Sequence, residues 1–327
     1  MQREVVVVSG VRTAIGKFGG SLKALPPTEL GTIVAREALG RAGVQGDEVG
    51  HVVFGNVIAT EPRDLYLARV AAMDAGVSEK TPAFTVNRLC GSGLQAIISA
   101  AQTVLLGDAD IVIGGGAENM SRAPYLSADA RFGTRMGDGR LLDMMLGALH
   151  DPFHSMHMGM TAENVASKYG ITREQQDALA VESHRRAEHA IAQGRFREQI
   201  VRLERRVKGQ SAVFDTDEHV RTELDAGEIA GLRPAFQLDG GTVTAGNASG
   251  INDGAAALVM MEHMTAEQRG LEPLARLVSY AHAGVAPRYM GIGPVPATRA
   301  ALQRAGYVCR TWMSSSRTRH LPHRPAR

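Results

Sequence analysis

Over the first 121 residues, short runs of β-branched and apolar side chains alternate with Ala- and Leu-rich helical stretches. A chain that feeds strand into helix into strand can bury its apolar faces only in layers, with helices packed on a sheet. EVVVVSG (4–10) reads as the first strand. Thr28 is placed as the N-cap of the helix ELGTIVAREALGRAG, which Gly43 closes. HVVFGNVI (51–58) and AFTVN (83–87) follow as strands. In GLQAIISAAQTVLLG (93–107), the residues Leu94, Ile97, Ile98, Ala101 and Leu105 share one predicted helical face, and ADIVIGGGAE returns as a strand. The fold class is therefore α/β, with a largely parallel or mixed sheet buried on both faces between helices.

Residues 122–246 break this rhythm. They are richer in charge, Met and His, with one clear helix around TREQQDALAVESHRRAEHAIAQ (172–193), and read as an insertion that folds over the α/β core. The alternation resumes with AALVMM (256–261) and LARLVSY (274–280). AREALGRAGV (35–44) aligns with TRAALQRAGY (298–307) at six of ten positions, which suggests two similar α/β halves, although two amphipathic Ala/Arg/Leu helices also look alike by chance. The expected organisation is one half from 1–121 plus 247–271, an inserted domain at 122–246, the start of a second half at 272–307, and a tail at 308–327.

Two cysteines among 327 residues cannot build a disulfide framework, so a reducing cytoplasm is expected. The run VVVV at 5–8 is too short for a leader or a membrane span, and no later segment is read as one. The formal charge of +2 is misleading. The tail holds five of the 36 basic side chains and none of the 34 acidic ones, leaving the remainder net acidic. Nucleic acid and membrane are therefore not expected partners.

VNRLCGSGLQAI (86–97) sets Cys90 between a strand and a helix. Unpaired N–H groups and the dipole at a helix N-terminus favour a thiolate, and Gly91 and Gly93 leave room for a substrate. By spacing alone, Cys90 is either a nucleophile or a buried structural cysteine. GGG (114–116) follows a strand without the spacing of a dinucleotide fingerprint and reads as a tight turn. His150, His154 and His157 have roughly metal-like spacing, but Pro152 interrupts any helix that would align them, so no metal site is expected. TAGNASGINDGAAA (244–257) is either a ligand-binding loop, with small residues against a ligand and Asn247, Ser249, Asn252 and Asp253 orienting it, or simply a loop.

Taken in order, NRLCGSGLQAI, HMGMTAENVA (157–166), LRPAF (232–236), TAGNASGINDGAAA and MGIGPVPATR (290–299) resemble the thiolase pattern, from the first strand to Tyr307. The likeness is to acetyl-CoA acetyltransferases and bacterial biosynthetic β-ketothiolases, and it implies a fold of duplicated α/β halves with mixed sheets, the second incomplete here. It also implies an enzyme that condenses two acetyl-CoA molecules, or cleaves a 3-ketoacyl-CoA, through an acyl-cysteine on Cys90. Leu149, His157, Met158, Arg221, Phe236, Ala245, Ala248, Ser249, Ile251 and Met290 match positions lining the CoA and acyl cleft. At a further cleft position, where relatives often have Ser, this chain has Glu228. Acyl-CoA and CoA are the implied partners, with a homo-oligomer and no cofactor beyond coenzyme A as substrate carrier.

Three further motifs of the family do not occur in the 327 residues: a Cys-x-Gly base, a Gly-His-Pro histidine and an Asn-Glu-Ala-Phe asparagine. One codon assignment of VCRTWMSSSRTRHLPHRPAR, read in a shifted frame, gives VQDLDVVESNEAFAAQA. The tail is accordingly expected to be out-of-frame translation after Tyr307, and the chain to lack turnover. The competing readings are a non-catalytic CoA-binding or subunit-binding fragment and a ketosynthase-type condensing enzyme.

Overall fold

The computed structural model describes residues 3–207 and 210–307; the 308–327 tail, with its frame-shift reading, lies outside the described residues. In chain order the core elements are strand β1 (Val5–Thr13), helix α1 (Pro27–Ala42), strand β2 (His51–Gly55), helix α2 (Leu67–Asp74), strand β3 (Ala83–Val86), helix α3 (Ser92–Leu106) and strand β4 (Ile111–Asn119). After a long excursion come helices α4 (Met158–Tyr169) and α5 (Arg173–Ala192), strands β5 (Ile200–Val201), β6 (Asn252–Glu262) and β7 (Ala275–Arg276), and helix α6 (Pro294–Arg304).

The main sheet runs in the order β5–β1–β6–β4–β2–β3, with β7 also pairing with β1. It is mixed: β6 lies antiparallel between β1 and β4, while β4, β2 and β3 are mutually parallel. Alternation along each strand sends side chains to two cores. Val52, Phe54, Ile113, Ala257 and Val259 meet α1 through Leu30, Val34 and Ala38 on one face. Val5, Val53, Val112 and Met260 meet α3 through Ala96, Ala100 and Val104 on the other. Removing the fully buried Phe54 from water stabilises the fold by about 2–3 kcal/mol on its own.

Several sequence expectations need correction. The first helix begins at Pro27 with Pro26 as its N-cap, so Thr28 lies inside the first turn; the ring of Pro27 is already set for helical φ. Gly43 closes that helix as expected, at φ 62°. The second strand ends at Gly55, and of 274–280 only Ala275–Arg276 is strand. On α3, Leu94 and Leu105 are exposed, and the face that packs on the sheet carries Ala96, Ala100, Ala101 and Val104. GGG is not a turn but the middle of β4. A Cβ on Gly114 would come within 3.0 Å of the Ile97 Cα, so the bare strand lets α3 lie close, and small residues form its contact face. Leu89–Leu106 is long and apolar enough to cross a membrane by length and composition, contrary to the sequence reading; here it packs on the sheet through its alanines.

The segment between β4 and β6 is tied down by charge. Arg12 on β1 donates both guanidinium branches to Asp217, at 2.7 and 3.0 Å, and Asp217 also accepts from the Ile15 N–H. Such a bidentate, largely buried pair fixes orientation as well as distance.

Candidate active site

Strand β3 ends at Val86 and helix α3 starts at Ser92, with Gly91 as its N-cap, so Cys90 stands at the helix mouth and is exposed. The five-residue connection is held by its own groups. Gly91 N–H donates to the Arg88 carbonyl, and the Ser92 hydroxyl accepts from Arg88 N–H at 2.8 Å while donating to the Leu89 carbonyl at 2.7 Å. Leu89 sits at φ 43°, a left-handed conformation uncommon for a branched residue. Below the turn, a Cβ on Gly55 would lie 2.5 Å from the Ser92 carbonyl carbon, so this glycine allows the first turn of α3 to rest on the end of β2.

Cys90 borders a cavity of about 560 Å³ that also touches Val57, Ile58, Glu118, Met120 and Leu149. It touches the carboxyl ends of β2 and β4, the usual side for a ligand on a parallel α/β layer. From there it extends along Gly114–Ala117 of β4 and Asn252–Leu258 of β6, beside the first turns of α3. Of the other expected cleft residues, Leu149 is therefore in one cavity with Cys90.

The next group is built outward from Leu149, whose carbonyl accepts from Met158 N–H at 2.8 Å. His157 is the N-cap of α4, its Nδ1 accepting from Gly159 N–H at 3.0 Å, so its remaining ring proton is on Nε2. Its ring stacks on Phe236 with centroids 4.6 Å apart and meets His150 edge-on at 5.1 Å. Burial, and secondarily His150, push the His157 pKa below the ordinary imidazole value, which keeps the capping nitrogen unprotonated.

A third group holds the loop 244–249. Glu163 on α4, itself buried, accepts from Thr242 N–H, the Thr242 hydroxyl and Val243 N–H. Asn247 accepts from Thr244 N–H at 2.8 Å and donates to Asp177 at 2.8 Å; Asp177 is paired with Arg173 at 2.7 Å. Ala248 N–H donates to the Thr244 carbonyl. Arg221 reaches the Ala245 carbonyl at 3.4 Å, while its own N–H donates to His184 Nδ1 at 3.1 Å. Burial first, then Arg221 and His219, lower the His184 pKa. Arg221, Glu228, Ala245 and Ser249 are exposed, and Ile251 accepts from Phe18 N–H. Met290 lies in the turn Pro287–Ile292, which Asn164 ties to α4 by donating to the Arg288 carbonyl at 3.1 Å.

The three histidines do not converge. His154 faces Asp151 at 3.3 Å while His150 and His157 face each other, and among the described residues no group of three or more His, Cys, Asp or Glu is placed to hold a metal ion. Sequence reasoning missed Glu118, Glu163 and Asp177. Glu118 and Glu163 bind backbone, amide or hydroxyl groups far away in the chain. Asp177 joins an ordinary i,i+4 pair with Arg173 to the distant Asn247 amide, so nothing in local spacing separates any of the three from a surface charge.

A family model described as "Thiolase, N-terminal domain" matches residues 5–264. The chain is 68% identical over 306 residues to the β-ketothiolase BktB of Cupriavidus necator, covering 94% of this chain and 78% of that protein. It is 51% identical to an acetyl-CoA acetyltransferase of the same organism, over 93% of this chain and 78% of the relative. Among solved structures, the Bacillus anthracis acetyl-CoA acetyltransferase superposes with a TM-score of 0.91 at 44% identity, over 94% of this chain and 78% of the other. Human mitochondrial 3-ketoacyl-CoA thiolase in complex with CoA superposes with a TM-score of 0.90 at 40% identity, over 94% and 77% respectively.

Proposed function

The chain belongs to the thiolase family, an enzyme family of acyl-CoA acyltransferases, and from that premise we propose that Cys90 is the thiol that accepts the acyl group. The observation that carries this reading is the placement of an exposed thiol at the mouth of α3, on a cavity at the carboxyl ends of parallel strands. Attack by the Cys90 thiolate on the carbonyl of an acyl-CoA forms the new C–S bond. The bond from that carbonyl to the CoA sulfur breaks, and CoA leaves as a thiolate that takes up a proton.

The CoA moiety lies, in this proposal, across the segment 122–249. Leu149, His157, Met158, Phe236 and the small side chains of Ala245, Ala248 and Ser249 flank the pantetheine arm, and Arg221 flanks the nucleotide end. A guanidinium at Arg221 suits phosphate oxygens and a planar base alike. Ile251 and Met290 complete the lining. A homo-oligomer in the cytoplasm, working on acyl-CoA and CoA with no further cofactor, belongs to the same proposal.

Carbon–carbon bond formation needs a second base and groups that hold an enolate oxygen. No Cys-x-Gly, Gly-His-Pro or Asn-Glu-Ala-Phe occurs among these 327 residues, which favours a second reading, a CoA-binding chain that does not turn over. Incubation with acetyl-CoA, peptide mapping and an acetoacetyl-CoA cleavage assay separate the two. Acetyl label on the Cys90 peptide without cleavage is the expected result. CoA binding without label supports the second reading, and robust cleavage by the purified 327-residue chain overturns the lack of turnover.

A further inference from the structure

We infer that Glu118 is a positioning residue for Cys90, acting through the segment 56–61 and Asn87. The inference rests on the reading of Cys90 as the acceptor thiol. Glu118, half-buried, is the last residue but one of β4 and shares the Cys90 cavity, yet its carboxylate is committed to protein groups. One oxygen accepts from Val57 N–H at 2.8 Å; the other accepts from Ile58 N–H at 3.0 Å and the Asn56 amide at 3.3 Å. Six residues beyond Ile58, Asp64, buried at 1% exposure, accepts from Thr60 N–H, the Thr60 hydroxyl and Glu61 N–H. The strap that leaves the end of β2 is thus held at its start by the carboxylate of a distant strand and at its end by the local cap of Asp64.

The strap in turn holds the nucleophile loop. Asn87 donates to the Val57 carbonyl at 3.2 Å, and its own side-chain oxygen accepts from Leu89 N–H at 2.9 Å. Asn56 N–H donates to the Val86 carbonyl at 3.2 Å. Leu89, at φ 43°, is the residue immediately before the thiol. A branched residue stays in that region only when its surroundings over-determine it. A continuous series therefore runs from the Glu118 carboxylate through Val57 and Asn87 to the strained Leu89 and so to Cys90. Burial, with a smaller contribution from Asp64, raises the Glu118 pKa, and the Val57 and Ile58 N–H groups oppose that rise. A carboxylate in such a place is costly unless its oxygens have work as acceptors. A glutamine there would turn an N–H₂ group toward backbone N–H donors, so it does not replace the acid.

The test is the rate of Cys90 alkylation by iodoacetamide on the intact chain, read by peptide mapping so that the label is assigned to Cys90. The variants are Glu118→Ala, Glu118→Gln, Asn87→Ala and the Glu118→Gln/Asn87→Ala pair, each checked for native circular dichroism. Because the contacts act in series, each single variant is expected to slow labelling roughly threefold to tenfold, and the double variant no further than the slower single. Additive losses, or single variants that label at the wild-type rate, overturn the inference while leaving the acceptor reading standing. A wild-type Cys90 that does not label overturns both. If Glu118→Ala fails to fold, Glu118→Gln, which keeps the side chain's size, decides: an unchanged rate rejects the inference and a slowed one upholds it.

Discussion

The imidazole of His157 and the ring of Phe236 lie 18° from parallel with centroids 4.6 Å apart, and both rest over the start of α4. The same histidine caps that helix through an unprotonated Nδ1. One side chain therefore couples a helix terminus to the 232–236 segment, and only in its neutral form.

The pH dependence follows from that coupling. The pKa of His157 is lower in the folded chain than the ordinary value of 6.5, through burial and then His150. The stabilisation it gives is complete above the unfolded value and is lost as pH falls through the lower folded value. A His157→Asn variant, which keeps a capping oxygen, should remove most of that acid sensitivity, and His157→Ala should cost about 1 kcal/mol through the lost cap. Urea midpoints for the three proteins across mildly acidic pH check this; parallel profiles for wild type and His157→Asn would refute it.

Gly159 tests the stack from below. A Cβ there would approach the Phe236 ring to 2.2 Å. Replacing a helical glycine by alanine ordinarily stabilises by about 1 kcal/mol. Gly159→Ala is expected to destabilise instead, because the ring must leave His157. A raised melting temperature would contradict the packing described.

At the nucleophile, Gly55→Ala sets a methyl group against the Ser92 and Gly93 backbone at 2.5–2.7 Å. Backbone cannot rotate away as a side chain does, so a cost of about 1–3 kcal/mol and a slower alkylation of Cys90 are expected. Stopped labelling with unchanged stability would mean that the glycine serves the site but not the packing.

Asp177 is largely buried against Arg173 and Asn247. Asp177→Ala leaves the guanidinium uncompensated and frees the Asn247 amide, at an expected cost of about 3 kcal/mol. Asp177→Asn, which still offers an oxygen to Asn247, should cost less. Equal denaturation midpoints for the two variants would show that the Asn247 bond contributes nothing.

What was legible in the sequence follows a physical division. The strands at 4–10, 83–87 and 109–118 and the cap at Gly43 are local matters of β-branching and backbone freedom, and their positions emerged to within a few residues. The Cys90 turn was legible because strand, glycines and helix are contiguous. The packing face of α3 was not, because it is set by the bareness of Gly114 on a different element rather than by the helix's own apolar stripe. Glu118 and Glu163 escaped for the same reason, since their partners lie tens of residues away and an acid bonded to backbone leaves no periodic trace. For Asp177 it is the Asn247 bond, 70 residues on, that the local pair with Arg173 does not reveal.

Strand β6 sits between β1 and β4, yet it is made more than 130 residues after β4. During synthesis, β1 and the layer carrying Cys90 therefore exist for a time as two separate partial sheets with open edges. Such edges invite pairing with other chains until the right strand arrives, and contacts this distant in sequence close slowly. The nucleophile layer becomes one sheet with β1 only when Asn252–Glu262 has cleared the ribosome, so the order of translation makes the site's floor among the last parts of the core to be completed.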